Sequence, residues 1–194
     1  MLRLSLLVLL SMLSTWGWTQ SLVVSTHPIY LIAKEVTDGV EEPVLLLGDQ
    51  TGHDVQLTPA HRKAIQDASL VLWLGKVHEA PLDKLLSQNR KAIALLDSGI
   101  LTTLPQRNLR GAALSNTVDS HVWLDPNNAV RIAFFIATLR SQQYPENKAK
   151  YLANAKDFAQ QMLQASQQYE SSSKSKPYWS YHDAYQYLER ALNL

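Results

Sequence analysis

GHDVQLTPAHRKAIQDASLVLWLG, residues Gly52–Gly75, decides the reading of this chain. It presents a histidine, His53, in a polar loop. Thr58-Pro59 follows, then a short amphipathic stretch, then an apolar run closed by glycine. A threonine hydroxyl caps orphan helix amides, and proline at the first helical position loses nothing by lacking an N–H. The spacing predicts a helix from Thr58-Pro59 to about Asp67 and a buried strand over Ser69–Leu74, stopped by Gly75. Strands alternating with helices in this way build a parallel α/β sheet.

The same alternation extends in both directions. Upstream, Leu22–Ser25 reads as a strand. His27-Pro28 opens a helix with Ile29, Ile32, Ala33 and Val36 at helical spacing, and Asp38-Gly39 stops it. Pro43–Leu47 is a continuous apolar run, the pattern of a strand covered on both faces. Downstream, a helix near Ala80–Ser87 and a strand over Ala92–Leu96 follow. Gly99–Ser120 has little periodicity and reads as a long loop. In HVWLDP, His121–Pro126, Asp125-Pro126 repeats the cap-plus-proline device, and a helix runs on to about Gln143. Pro145 restarts helix. From Glu146 to about Ser172 one face is marked by Tyr151, Ala155, Phe158, Met162 and Ala165, long enough to bridge two lobes. Pro177–Tyr181 reads as a strand, with Asp183 capping a last helix, Ala184–Leu192.

The predicted fold class is α/β: a parallel-sheet lobe with flanking helices, a long linking helix, and the start of an incomplete second α/β lobe. The expected division is a signal peptide at 1–20, an N-terminal metal-binding lobe at 21–143, a linking helix at 144–176, and at 177–194 the beginning of a truncated C-terminal lobe. A lone strand and helix cannot build a core of their own.

With 194 residues and a formal charge of +1, the chain carries no strong field for nucleic acid or anionic membrane. It has no cysteine, which removes thiolate metal sites, disulfides, cysteine nucleophiles and a lipid-anchor cysteine. A transition metal must then be held by imidazole and carboxylate, a donor set that favours zinc. Arg3 and the apolar run Leu4–Leu13 have the form of a signal peptide cut near Thr19 or Gln20, which implies an exported, periplasmic protein. A retained anchor is the alternative.

His53, His121 and His182 are the candidate ligands. Each falls, in this assignment, where a strand ends and a helix is about to begin, and ligands of open α/β sheets bind outside the carboxyl ends of strands. Three histidines with one open or carboxylate position make a normal zinc set. Spacings of 60 to 70 residues carry little weight by themselves, and on spacing alone any one of these histidines reads more readily as a surface or capping residue than as a ligand. Asp54, Asp125 and Asp183 are candidates for capping or for outer-shell contacts. His27 is the reserve candidate, while His61 and His78 have bland readings. Trp73, Trp123 and Trp179 read as strand-core or lobe-interface residues. Glu79 reads as a solvated helix start that could also reach the cleft.

GHDVQLTPAHRKAIQDASLVLWLG, HVWLDP and YHDAYQYLE (Tyr181–Glu189), in that order with a long helix before the last, resemble the periplasmic high-affinity zinc-uptake solute-binding proteins of bacterial ABC importers. The resemblance runs from about Leu22 to the end. It implies two α/β lobes joined by a rigid helix, with zinc as transported ligand held by His53 and His121 from the first lobe and His182 from the second. It implies a monomeric receptor, not an enzyme, that delivers the ion to an ABC permease in the inner membrane. A histidine in YHDAYQY favours zinc; manganese, whose receptors tend to carry a carboxylate there, is the alternative metal. The segment Leu104–Ser120 holds no histidine, unlike the His- and acid-rich loop that zinc members often carry before the second ligand. Two other functional readings are a truncated receptor with impaired metal binding and a zinc-dependent hydrolase.

Overall fold

The computed structural model describes residues 21–48, 50, 55–172 and 178–194. Four short strands, β1 (Leu22–Val24), β2 (Val44–Leu45), β3 (Leu70–Trp73) and β4 (Ala92–Ala94), form one parallel sheet in the order β2-β1-β3-β4. Leu22, Val23 and Val24 pair with Leu70, Val71 and Leu72, and Val71 pairs with Ala92. The helices α1 (His27–Thr37), α2 (Pro59–Asp67) and α3 (Ala80–Leu86) make the crossovers. Then come α4 (Pro126–Gln143), a 3-10 turn at Pro145–Asn147, α5 (Lys148–Ser172) and α6 (Gln186–Leu192).

Strand side chains alternate between faces, and the two faces of the sheet meet different helices. Leu22, Val24, Leu70 and Leu72 join Ile29 of α1, Ile132 and Ile136 of α4 and Tyr151 of α5 in one core. Val23, Val71 and Trp73 point the other way, onto Ile65 of α2 and Leu82 and Leu86 of α3. The central strands are therefore apolar at every position. Tyr187 of α6 belongs to the first core, so the last helix docks on the same body.

A buried ion network fixes α5. Arg140 of α4 is fully buried. Its Nε donates to Glu41 Oε1 at 2.7 Å and its Nη2 to Glu41 Oε2 at 2.5 Å. Tyr151 of α5 donates its hydroxyl to the same carboxylate at 2.9 Å. Asn154 donates to the main-chain oxygens of Val36 and Asp38 at the end of α1.

The expected elements from Leu22 to Ser172 are present, with differences of a residue or two at their ends. The Thr58-Pro59 start is capped: Thr58 Oγ1 accepts from His61 N at 3.3 Å, and His61 Nδ1 accepts from Thr58 N at 3.3 Å. This gives His61 a capping role. Tyr151, Ala155, Phe158 and Met162 face the core as expected, but Ala165 is exposed, because α5 has by then run past the body it packs on. Pro43–Leu47 is not covered on both faces. β2 is a two-residue edge strand, and Val44 stands 39% exposed. The strand expected over Ala92–Leu96 ends at Ala94, and Leu95–Asp97 tightens into a 3-10 turn.

The end of the chain departs further. Residues 178–181 form no strand. Aromatic residues favour strands only where a neighbouring strand supplies a ladder, and here Trp179 and Tyr181 are fully exposed. Trp179 is thus not a core residue, whereas Trp73 is buried and Trp123 packs against the core. The last helix begins at Gln186, and Asp183 does not cap it: its carboxylate is held by Arg107. Residues 1–20, His53, Asp54 and Pro177 lie outside the described residues, and so does the expected signal peptide.

Candidate metal centre

His121 follows the irregular segment 98–120, not a strand, and immediately precedes a 3-10 turn over Val122–Leu124. Asp125 then caps α4, accepting from Asn127 N at 2.8 Å, and pairs with Arg190 of α6 at 2.8 Å. His121 thus lies in the chain between Asp119 and the capped start of α4.

Asp119 is buried. Its Oδ1 accepts from the main-chain N–H of His121 at 3.0 Å and sits 2.6 Å from His121 Nδ1. Its Oδ2 accepts from Gln186 Nε2 of α6. Burial opposes the charge on this carboxyl, but the bonds from the His121 ring and backbone and from Gln186 outweigh it and hold the group below its ordinary value. An ionised carboxylate only accepts, so His121 Nδ1 carries the hydrogen and, in the neutral ring, Nε2 keeps its lone pair. Outer-shell carboxylates orient ligand imidazoles in this way.

His121 Nε2 lies 3.1 Å from His182 Nε2, and the ring centroids are 5.0 Å apart. That separation fits either a shared proton or a shared cation. With zinc–nitrogen bonds of about 2.05 Å, an ion equidistant from both would subtend about 98°, and an opening of roughly 0.25 Å would bring the angle to the tetrahedral value. The two histidines are 61 residues apart in sequence, and His182 follows no strand among the described residues. The pair opens on a cleft of 210 Å³ that Val77, Asp119, Asp183 and Gln186 also line.

His78, whose sequence context is bland, packs against the His121 ring. It is buried, its Nδ1 lies 2.8 Å from Ser120 Oγ, and its ring stands edge-on to His121 and Trp123 at 5.8 and 5.4 Å. Glu79 is neither solvated nor in the cleft. It is fully buried, and Leu74 N donates to its Oε2 at 2.6 Å. Burial pushes its carboxyl up to about 7, against weaker opposition from Ser25 and the Leu74 and Gly75 amides. Ser25 Oγ, Thr26 Oγ1 and Glu79 Oε1 are buried without a well-formed hydrogen bond. Glu79 therefore anchors the turn that carries His78.

Arg107 ties the long loop to the end of the chain. It donates from Nε to Asp183 Oδ2 at 3.1 Å, from Nη2 to Asp183 Oδ1, and from Nη1 to Glu189 Oε2 at 2.6 Å. The bonds to Asp183 first, and then those to Glu189, raise the guanidinium further above its ordinary value. Asp183 is thus an arm that fixes the residue next to His182.

Of the three expected ligands, the structure brings His121 and His182 together, and His53 lies outside the described residues. No group of three or more histidine, aspartate or glutamate side chains among the described residues is placed to hold an ion. The reserve candidate His27 is exposed at the start of α1, stacked on Tyr30. Asp119 and Gln186 are site residues that the sequence patterns do not single out. The Asp-x-His spacing of residues 119 and 121 is the one signal that could have raised Asp119, since two residues is the reach of a side chain bonding to its own backbone turn.

The family model described as zinc-uptake complex component A, periplasmic, matches residues 22–194. The high-affinity zinc uptake system protein ZnuA of Brucella abortus (strain 2308) is 28% identical, over 92% of this chain and 66% of that protein. ZnuA of Yersinia pestis is 30% identical, over 90% of this chain and 63% of that protein. The chain spans about two thirds of the length of these curated relatives, 66% and 63%. The crystal structure of the Zn(II)-bound ZnuA-like domain of Streptococcus pneumoniae AdcA has the same fold, with a TM-score of 0.73 at 23% identity over 91% of this chain and 65% of that one.

Proposed function

The chain belongs to the family of periplasmic zinc-uptake component A proteins, and from that premise we propose that it captures zinc and hands it to an ABC-type permease. Zinc is cargo, so no bond is broken and no general base is needed. The observation that carries the reading is the meeting of His121 Nε2 and His182 Nε2 at 3.1 Å, with the tautomer of His121 set by Asp119. His53 is the proposed third ligand. Manganese is the competing cargo, and two or three imidazoles rank zinc above it.

In this reading residues 21–143 are the metal-binding lobe, 144–176 the link, and 177–194 the first part of a second lobe, in keeping with the greater length of the relatives. Residues 1–20 direct export to the periplasm, where the protein acts as a monomer. A receptor, not an enzyme, also fits the carboxylates around the pair. Asp119 is occupied by His121 and Gln186, Asp183 by Arg107, and Asp125 by the start of α4 and Arg190. None of these is poised as the base that a hydrolase would need.

Competition titration of the purified chain with zinc and manganese tests this. Zinc is expected to bind with the higher affinity, and His53→Ala, His121→Ala and His182→Ala each to weaken it by at least about tenfold. Wild-type binding that none of these variants changes would overturn the assignment.

A further inference from the structure

Asp119 stands between two things that need not have been connected: the ring of a proposed ligand and the last helix of the chain. One carboxylate oxygen takes the His121 ring N–H, and the other takes Gln186 of α6. The main chain of Asp119 is held as firmly. Its N–H donates to Leu104 O at 2.8 Å, and its carbonyl accepts the Tyr187 hydroxyl at 2.7 Å. The same hydroxyl accepts from Leu104 N at 2.9 Å, and Gln186 Nε2 also donates to Pro105 O at 2.9 Å. Residues 104–105 and 119 therefore make a frame on which Gln186 and Tyr187 are seated, with the Asp119 side chain reaching from that frame to the metal centre.

We propose that Asp119 is a positioning residue that couples the seating of helix α6 to the metal-ready form of His121. This rests on the zinc-receptor reading above. The physical reason is the acceptor count. The carboxylate meets three N–H donors, the His121 ring and main chain on Oδ1 and Gln186 on Oδ2, so an acceptor is needed on both of its sides. When α6 is seated, Gln186 fixes Oδ2, which leaves Oδ1 aimed at His121 and its Nε2 lone pair aimed at His182. When α6 lifts, the carboxylate loses that tether and His182 leaves with the same segment. A divalent cation held by both histidines must then tighten the docking of α6, and by reciprocity the docking of α6 must tighten the cation.

Asp119→Asn puts one donor where two acceptors stood. Either the His121 ring accepts from the new amide and moves its hydrogen to Nε2, or Gln186 turns over and abandons Pro105 O. Gln186→Ala keeps the carboxylate and removes only the helix side of the coupling.

The experiment uses the 194-residue chain and zinc alone as probe. Its readouts are zinc affinity, the imidazole 15N signature of His121 in metal-free protein, and amide exchange along α6 with and without zinc. Wild type is expected to show His121 as the Nδ1–H tautomer, with exchange slowed in α6 by zinc. Asp119→Asn should weaken zinc by about 10- to 100-fold and raise the Nε2–H population. Gln186→Ala should weaken zinc less and abolish most of the zinc-dependent protection of α6. If wild type binds zinc while Gln186→Ala keeps both affinity and protection, the coupling is refuted, even where Asp119→Asn fails to fold. A folded Asp119→Asn that leaves the tautomer, the zinc affinity and the zinc-dependent protection of α6 all unchanged refutes the positioning role. Failure of wild type to bind zinc at all would sink the receptor reading instead, and the tautomer of the metal-free protein would still decide whether Asp119 orients His121.

Discussion

Glu79→Gln isolates a fully buried ionisable group. Glu79 is fully buried, and its carboxyl titrates at about 7 where its ordinary value is 4.5. Burial is the leading cause. The native state therefore holds its proton through a range in which the unfolded chain has already lost it. The stability from this group is fully present below about 4.5 and is lost as pH rises towards about 7. The whole difference is worth about 3 kcal/mol, a large share of a typical domain's margin. Glutamine keeps an oxygen for the Leu74 amide, adds a donor within reach of the under-bonded Ser25 hydroxyl, and cannot ionise. Urea unfolding followed by tryptophan fluorescence, run from about pH 5 to pH 8 on both proteins, is the assay. The two should be close at about pH 5. By about pH 8 the variant should lead by about 2 to 3 kcal/mol. Parallel profiles across that range would refute the reasoning, since they would mean that no carboxyl at position 79 titrates differently in the two states.

Other consequences follow from the same contacts. Zinc affinity should fall as the solution is acidified, because protons compete with the ion for the imidazole lone pairs; acid-insensitive binding in a competition titration would count against histidine ligation. Arg140→Met should destabilise the fold by about 3 to 5 kcal/mol in thermal or urea unfolding, because it leaves the Glu41 carboxylate part-buried and without its cation. The double variant Arg140→Met with Glu41→Gln should recover much of that loss, and a double variant no more stable than the single one would contradict the ion-pair explanation.

What the sequence disclosed and what it hid divide along one line: local signals were legible, and contacts made by irregular backbone were not. Thr58-Pro59 and Asp125-Pro126 announce helices because capping and a fixed proline φ act within about four residues. The runs around Leu22 and Leu70 announce buried strands because both sheet faces are covered there. The aromatic run at 178–181 carries the same kind of signal and forms no strand, since a strand also needs an edge to join, and that is a property of the whole chain. His121 and His182 stand out in the sequence as residues at strand ends, yet neither follows a strand among the described residues. They meet because Asp119 and Arg107, both in the segment that looked featureless, hold the two sides of the site. Asp119 fixes the His121 ring, and Arg107 fixes Asp183 beside His182. Arg107 has no periodic neighbours to betray it, and its two carboxylate partners lie 76 and 82 residues away. The long loop is thus better understood as the fastening of the site than as a spacer between two elements. Substitutions within it at Leu109 or Arg110, whose side chains are exposed, should be tolerated far better than any at Arg107 or Asp119.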